Sequence, residues 1–441
     1  MNQTEKKILQ IIDSKRDEII AFADDIYTHG ELGYKEFRTA GKVKEIFDKN
    51  LERVEDGLAI TGVKGYLNQE KKDNISLALI GELDSLRIPG HKYYNPETEG
   101  AHCCGHHAQL AGIVGAALAL SDEEIKKELN GQVIFFAVPA EEYGEVDFKN
   151  ELKKQGKIRY GGGKGELIRI GAFDDVDLSL AHHSKEGGNA IGTGSSNGFV
   201  SKIYRIKGKA SHAAAAPEKG INALSAATLG LNALGLLRDT FRDEDAVRVH
   251  PILTKGGSIT NVVPDEAVVE TLVRARTKEA FLDAADKTDR SFKAGALALG
   301  AKLTIETVPG YLPSLPVVLP NELEDVVREV TGGNYTVSDP NRHSSASSDV
   351  GDLQHILPVL SFSTGGVTGG FHQANFDIAD KETAYVLTAK IFALFAYRLL
   401  KGDAELAKKI KNEYKPVFNG KEEYIEYVEQ FNKTEEIDYG N

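Results

Sequence analysis

Cysteine is scarce in this chain: two residues in 441, adjacent at Cys103 and Cys104. So few exclude a disulfide framework and accord with a reducing compartment, so a cytoplasmic location is expected. Long apolar runs are missing too. The longest, AGIVGAALAL at 111–120, is far short of the roughly 20 residues a membrane-crossing helix needs. The N-terminal stretch MNQTEKKILQ is hydrophilic from its second residue, so no exported or anchored form is expected. Positive charge is also in deficit. With 53 Lys and Arg against 66 Asp and Glu, the formal net charge is -13, and no basic run offsets it. That excludes a nucleic-acid or anionic-membrane surface and leaves small polar or charged substrates as partners. No internal repeat or low-complexity tract interrupts the chain, and its length exceeds one ordinary core, which implies two or three domains.

What is present alternates between helical and strand patterns. Ile8, Ile11, Ile12, Ile19, Ile20, Phe22 and Ile26 fall at helical spacing and predict one long amphipathic helix over 4–29. A second helix is expected at 36–48, with short strands at 58–67 and 75–82. The latter, ISLALIGE, is nearly all apolar, as suits a strand buried on both faces of a parallel sheet. It delivers Glu82 and Asp84 at its C-terminal end, where open α/β sheets bind ligands. A buried helix follows at 108–121, then the strand QVIFFAVPA at 132–140 running into Glu141 and Glu142. A further strand, DVDLSLAHH at 175–183, ends in His182 and His183.

Between about 196 and 308 the order strand, helix, strand, strand, helix, strand matches a ferredoxin-like α+β unit inserted as its own domain. The first domain resumes after 309 with HILPVLSFSTGG at 355–366, a glycine-rich loop ending at His372, and an apolar helix at 385–400. The charged tail from about 402 reads as surface helix. The expected domains are therefore 1–195 with 309–441, and 196–308 between them.

The chemistry concentrates in GAHCCGHH at 100–107, which holds both cysteines and three of the twelve histidines. Adjacent cysteines seldom bridge each other without strain, and structural zinc knuckles space theirs by about two to four residues. What remains is one thiolate and one imidazole, Cys104 and His106, on a glycine-containing turn before a helix whose N-terminal amides favour an anion. A dinuclear hydrolytic site needs imidazoles, carboxylates or thiolates, a further carboxylate to move a proton, and a group to meet an oxyanion. The strand ends supply these. Cys104, His106, Glu142, one of His182 or His183, and His372 are the expected metal ligands, with Glu141 as general base. Consecutive residues on an extended segment point opposite ways, so Glu141 and Glu142 cannot both reach the metals without a bend.

Seven motifs in order, GAHCCGHH, FFAVPAEE, AHH at 181–183, GKASHAAAAPEKGINAL, TNVVPDEAVVETLVR, SSDVGD at 347–352 and GGFH at 369–372, resemble the aminoacylase and carboxypeptidase-like family of dinuclear metallohydrolases. More narrowly, they resemble its amidohydrolase branch, with hippurate hydrolase, auxin-conjugate amidohydrolase and aminobenzoyl-glutamate hydrolase. The resemblance runs from HGELGYKE near the N-terminus to His372. It implies a zinc-peptidase-like α/β catalytic domain with a mixed, largely parallel sheet, interrupted by a smaller lid through which the protein forms a homodimer.

It further implies two divalent metal ions per subunit, zinc first, with manganese, cobalt or nickel also suited to the donors. Cys104, His106, Glu142, His183 and His372 match the ligands, and Glu141 matches the base that activates water. Asp84 matches the acid that orients a ligand. His212 matches a lid histidine that holds the oxyanion in the partner's site, and Asn261 and Arg274, thirteen residues apart as in the family, match the residues that clamp a substrate carboxylate. The expected reaction is hydrolysis of the amide of an N-acyl or N-aminoacyl amino acid. Short-peptide hydrolysis (dipeptidase or carboxypeptidase) and a metal-binding homologue without catalysis are the alternatives. The chain departs from the branch at His107, where Asp or Asn is usual, at Cys103 for Ala, at Gly30 for Pro, and at Ser184 and Lys185 for a Trp-Pro or similar pair. These departures leave the acyl and amino-acid preference open.

Overall fold

The computed structural model describes residues 1–440, which divide into two compact units. One comprises 1–194, 315–342 and 352–421, the other 195–314, 343–351 and the C-terminal segment from 422.

The first unit is built on an eight-stranded sheet. Its strands are β1 (Arg53–Leu58), β2 (Gly62–Leu67), β3 (Ser76–Glu82), β4 (Gln132–Val138), β5 (Leu178–Ser184), β6 (Asn189–Ile191), and the later segments Tyr335–Val337 and Val359–Thr364. They lie in the order β1, β2, β4, β3, β5, Val359–Thr364, β6, Tyr335–Val337. The four central strands β4, β3, β5 and Val359–Thr364 are mutually parallel. The flanks turn antiparallel where β2 meets β4 and where Val359–Thr364 meets β6. Every residue of β3 and β4 is buried, as the continuous apolar runs of doubly covered parallel strands require.

Helices pack against this sheet. The long opening helix expected from the sequence is two, α1 (Gln3–Ser14) and α2 (Arg16–Tyr27), because Lys15 leaves the helical register. Asn2 caps α1 in a reciprocal box with Glu5. After α3 (Phe37–Asn50) comes α4 (His106–Leu120), whose fifteen residues are all buried. It lies against Leu387–Leu400 because two glycines let the helices approach: a Cβ on Gly112 would stand 2.6 Å from Thr388, and one on Gly115 2.5 Å from Ala389. Glu382–Leu400 is long and apolar enough to cross a membrane by length and composition, but 78% of its apolar window is buried inside the molecule. It is a core helix of this fold.

In the second unit the strand Gly198–Lys207, helix Ala223–Leu236, strands Ile252–Lys255 and Glu266–Ala275, helix Lys278–Leu299 and strand Lys302–Pro309 follow the β-α-β-β-α-β order. The sheet is antiparallel throughout, in the order Ile252–Lys255, Glu266–Ala275, Gly198–Lys207, Lys302–Pro309, Lys433–Asp438. Tyr204 stacks on Phe292 at 4.0 Å between ring centroids, fixing the sheet to the long helix. The final strand corrects the expectation for the tail. After helices at Glu405–Glu413 and Lys421–Glu429, Lys433–Asp438 adds to the edge of Lys302–Pro309. Its residues are mostly charged, with Ile437 the one apolar side chain, so little strand signal shows; Lys302–Asp438 ties it to the neighbouring strand and Lys293–Glu435 to the long helix.

Candidate active site

The parallel strands of the first unit deliver their chemistry at their C-terminal ends. β3 brings Glu82 and Asp84, β4 leads to Glu141 and Glu142, β5 carries His183, and the loop after Val359–Thr364 brings His372. Cys104 and His106 sit at the start of α4. The turn before it depends on Gly105, whose φ of +86° is left-handed and whose Cβ would lie 2.6 Å from the Ser184 hydroxyl oxygen.

Three groups of donor atoms result, each mutually within 4.8 Å: Cys104, His106 and His183; Cys104, Glu142 and His372; Glu82, His106 and Glu141. Cys104 belongs to the first two. Its Sγ lies 3.4 Å from His183 Nε2 and 3.3 Å from His372 Nε2, and His372 Nε2 lies 3.1 Å from Glu142 Oε1. Ligand bonds of about 2.0–2.3 Å give donor-to-donor edges of about 3.0–3.6 Å around one ion, so these spacings suit a shared thiolate between two metal positions. The burial of unsatisfied donors agrees. His106 Nε2 and Glu142 Oε1 are enclosed and make no hydrogen bond, an arrangement costly in a folded protein unless another group satisfies them.

The imidazoles are oriented for this role. His183 Nδ1 donates to its neighbour's carbonyl, Ser184 O, at 2.8 Å, and His106 Nδ1 donates to Asp84 O at 3.0 Å. With Nδ1 donating in each, Nε2 is the nitrogen turned toward the other donors. His182, the other candidate in AHH, points into the sheet's far side. There it accepts from the Thr364 N–H at 3.2 Å, lies 2.8 Å from Thr364 Oγ1, and packs on Phe362 and Phe392. His183 is the residue brought to the cluster.

The bend demanded by two neighbouring glutamates lies at Ala140, whose φ is +50°. Its N–H donates to Glu36 at 2.9 Å and its carbonyl accepts from Gly163 N at 3.0 Å. The bend sends Glu142 to the Cys104 and His372 group and Glu141 to the His106 group, with Glu141 Oε2 3.9 Å from His106 Nε2.

Electrostatically the centre is a dense, buried set of acids. Burial alone would raise the Glu82 carboxyl, but Lys164 and His106 pull it down to about 2. Burial works against protonation of His106, yet Glu82, Cys104 and Asp84 hold it well above the ordinary histidine range. The Cys104 thiol is pushed up by burial and by Glu142, so a bound cation is what would make it a thiolate ligand.

Sequence reasoning left Glu82 unassigned and missed its partners Lys164 and Gln109. Lys164 carries no local signal in a lysine-rich stretch, and only the fold brings it to β3. His107, the marked departure from the branch, joins none of the three donor groups. It is fully buried and stacks on Tyr27 at 4.5 Å, with His102 5.4 Å away. Asn261, Arg274 and His212 lie in the second unit. There Ala213 N donates to Asn261 O at 3.0 Å, placing the His212 turn beside Asn261. The exposed His212 ring accepts from Ala214 N and Ala215 N at 3.2 and 3.1 Å. Arg274 donates to Ser347 Oγ at 3.3 Å and lies over the Phe199 ring.

A mixed, largely parallel sheet that gathers thiolate, imidazole and carboxylate donors in two overlapping groups defines the class of metal-binding α/β hydrolases. Residues 78–398 match the model of Peptidase family M20/M25/M40, and the chain belongs to that family. It is similar to a mouse (Mus musculus) Xaa-Arg dipeptidase, 29% identical over 68% of this chain and 65% of the relative. It is also similar to one of the subunits of p-aminobenzoyl-glutamate hydrolase from Escherichia coli, 28% identical over 70% of this chain and 60% of that one. The matched part thus spans about two thirds or less of these relatives' lengths. Among solved structures, a dinuclear metal-binding peptidase from Bacillus subtilis superposes with a TM-score of 0.62 at 23% identity, over 88% of this chain and 99% of that one, and shares the fold.

Proposed function

We propose that this chain is a metal-dependent amidohydrolase that cleaves the amide bond of an N-acyl or N-aminoacyl amino acid. The observation that carries the reading is the pair of donor groups sharing Cys104, with Glu141 held beside His106. The donor set, one thiolate with imidazoles and carboxylates, fits two divalent ions, zinc first and manganese, cobalt or nickel next. When bound, such ions polarise the scissile carbonyl and lower the pKa of water.

The protein's own residues do the rest. Cys104, His106, Glu142, His183 and His372 hold the ions, and Asp84 fixes the His106 ring. Glu141 Oε2 stands 3.9 Å from His106 Nε2, beyond a coordination edge of about 3.0–3.6 Å, and its carboxylate takes the proton of the attacking water and returns it to the leaving amine. In the second unit, acting as a lid, Arg274 and Asn261 bind the substrate's free carboxylate and His212 meets the oxyanion. A homodimer through that unit is supported by its edge strand Ile252–Lys255, where Ile252 and Leu253 are exposed, with Leu229 and Leu236 exposed on the helix Ala223–Leu236. Two free, buried cysteines accord with a reducing cytoplasm.

The experiment is a panel of N-acetyl, N-benzoyl and β-alanyl amino acids and dipeptides offered to enzyme reconstituted with zinc, manganese or cobalt. Turnover of acyl amino acids supports the reading. Turnover of dipeptides alone favours the dipeptidase alternative, in line with the name of the mouse relative, and no turnover with any metal favours a binding protein.

A further inference from the structure

Glu82 is a buried acid whose position the five expected ligands do not explain. It ends β3 almost wholly enclosed, with Lys164 and Gln109 enclosed around it. Lys164 Nζ donates to Oε1 at 2.6 Å, and Gln109 Nε2 donates to Oε2 at 2.8 Å while the Glu82 N–H donates back to Gln109 Oε1 at 3.0 Å. These bonds fix the carboxylate so that Oε2 lies 3.1 Å from His106 Nε2.

The contact lacks hydrogen-bond geometry: His106 Nε2 makes no hydrogen bond, and Nδ1 donates to Asp84 O. In the neutral ring two electron-pair donors face each other here, and a cation between them removes their repulsion. The separation equals that between His372 Nε2 and Glu142 Oε1, both at 3.1 Å, and matches the donor-to-donor edge of a coordinated ion, about 3.0–3.6 Å. Glu141 lies in the same group but farther out, 3.9 Å from His106 Nε2.

Resting on the metal-site reading above, we propose that Glu82 is itself a metal ligand. It would complete the position formed by Cys104, His106 and His183, with Lys164 and Gln109 as the residues that aim it. Charge supports this. A thiolate, Glu82, Glu141, Glu142 and Asp84 bring about five negative charges against four from two divalent ions, and the Lys164 ammonium supplies the fifth positive charge inside the protein.

The test uses the full chain, stripped of metal and titrated with Co²⁺ and Zn²⁺ by calorimetry and visible absorption. Wild type should bind two ions. Glu82→Gln, which keeps the shape and the Gln109 contact, should weaken one of them at least tenfold. It should also alter the Co²⁺ ligand-field bands while the thiolate charge-transfer band of Cys104 persists. Unchanged affinities overturn the proposal. So does weaker binding with unaltered ligand-field bands, which would make Glu82 a positioning residue for His106. Should the variant misfold, an anomalous-difference map of Zn²⁺-loaded wild type decides, with an ion expected about 2.0–2.2 Å from Glu82 Oε2. An ion bound to His106 with that oxygen beyond bonding distance overturns the assignment. If wild type binds no ion, the metal-site reading fails as well, whereas two ions with Glu82 unbound would sink this inference alone.

Discussion

Asp84 holds Glu142 in place: its Oδ2 accepts the Glu142 N–H at 2.8 Å while its Oδ1 lies 3.2 Å from His106 Nδ1. One buried carboxylate thereby couples the segments that carry two different donor groups. An acid behind a ligand imidazole fixes its tautomer and raises its basicity, and losing such a partner typically costs about 10–100-fold in metal affinity. Asp84→Asn is therefore expected to weaken metal binding by that order, measured by competition with a chromogenic chelator, while circular dichroism stays that of wild type. Unchanged affinity would remove Asp84 from this role.

The two histidines of AHH should separate cleanly. His183→Ala is expected to lose one bound ion with little change in thermal stability, since the residue is exposed. His182→Leu should do the reverse, keeping both ions while destabilising the fold by about 1–3 kcal/mol, because the buried Thr364 N–H loses its acceptor. Metal analysis and thermal melts on the two variants check this, and the opposite pattern would exchange their roles.

Gly163 explains a third dependence. Its N–H donates to Ala140 O, and a Cβ there would stand 1.6 Å from the Pro139 carbonyl oxygen. Gly163→Ala must push the Pro139–Ala140 bend that divides Glu141 from Glu142. A loss of stability of about 1–3 kcal/mol, as for other overpacked sites, is expected together with a fall in turnover. Urea unfolding and steady-state kinetics measure the two, and full activity would show that the bend tolerates displacement.

Glu36 sets a pH dependence. Burial first, then the nearby charge of Asp84, raises its carboxyl from an ordinary 4.5 to about 8. Between those values the unfolded chain has released a proton that the folded chain retains, so rising pH favours unfolding until about pH 8 and has no further effect through this group above it. Glu36→Gln, able to accept from Ala140 N as Glu36 Oε1 does, should lose less stability than wild type between pH 5 and about pH 8. Denaturant curves at both ends of that window decide, and parallel losses would contradict the assignment.

Much of this candidate site was legible in the sequence because most of its donor residues sit at strand ends, where apolar runs stop abruptly at a charged or imidazole side chain. QVIFFAVPA running into Glu141 and Glu142 is such a signal, and β4 ends at Val138, just before it. The ferredoxin-like order of the second unit was equally readable from alternating periodicities. Lys164 was not, because a buried lysine looks like any surface lysine until its partner Glu82 is known. Nor was the strand Lys433–Asp438, whose exposed, charged residues gain their pairing only from the edge of a sheet more than a hundred residues earlier in the chain. The break at Lys15 escaped notice because the apolar spacing continues across it.

The central claim is that Glu141 moves the proton while its neighbours hold the ions, and Glu141→Gln tests it in one preparation. Metal content and turnover of an N-acyl amino acid should be measured side by side on wild type and variant. The account predicts two ions per chain in both and a loss of turnover of about 10²–10⁴-fold in the variant. Turnover within a few-fold of wild type at full metal occupancy would contradict it.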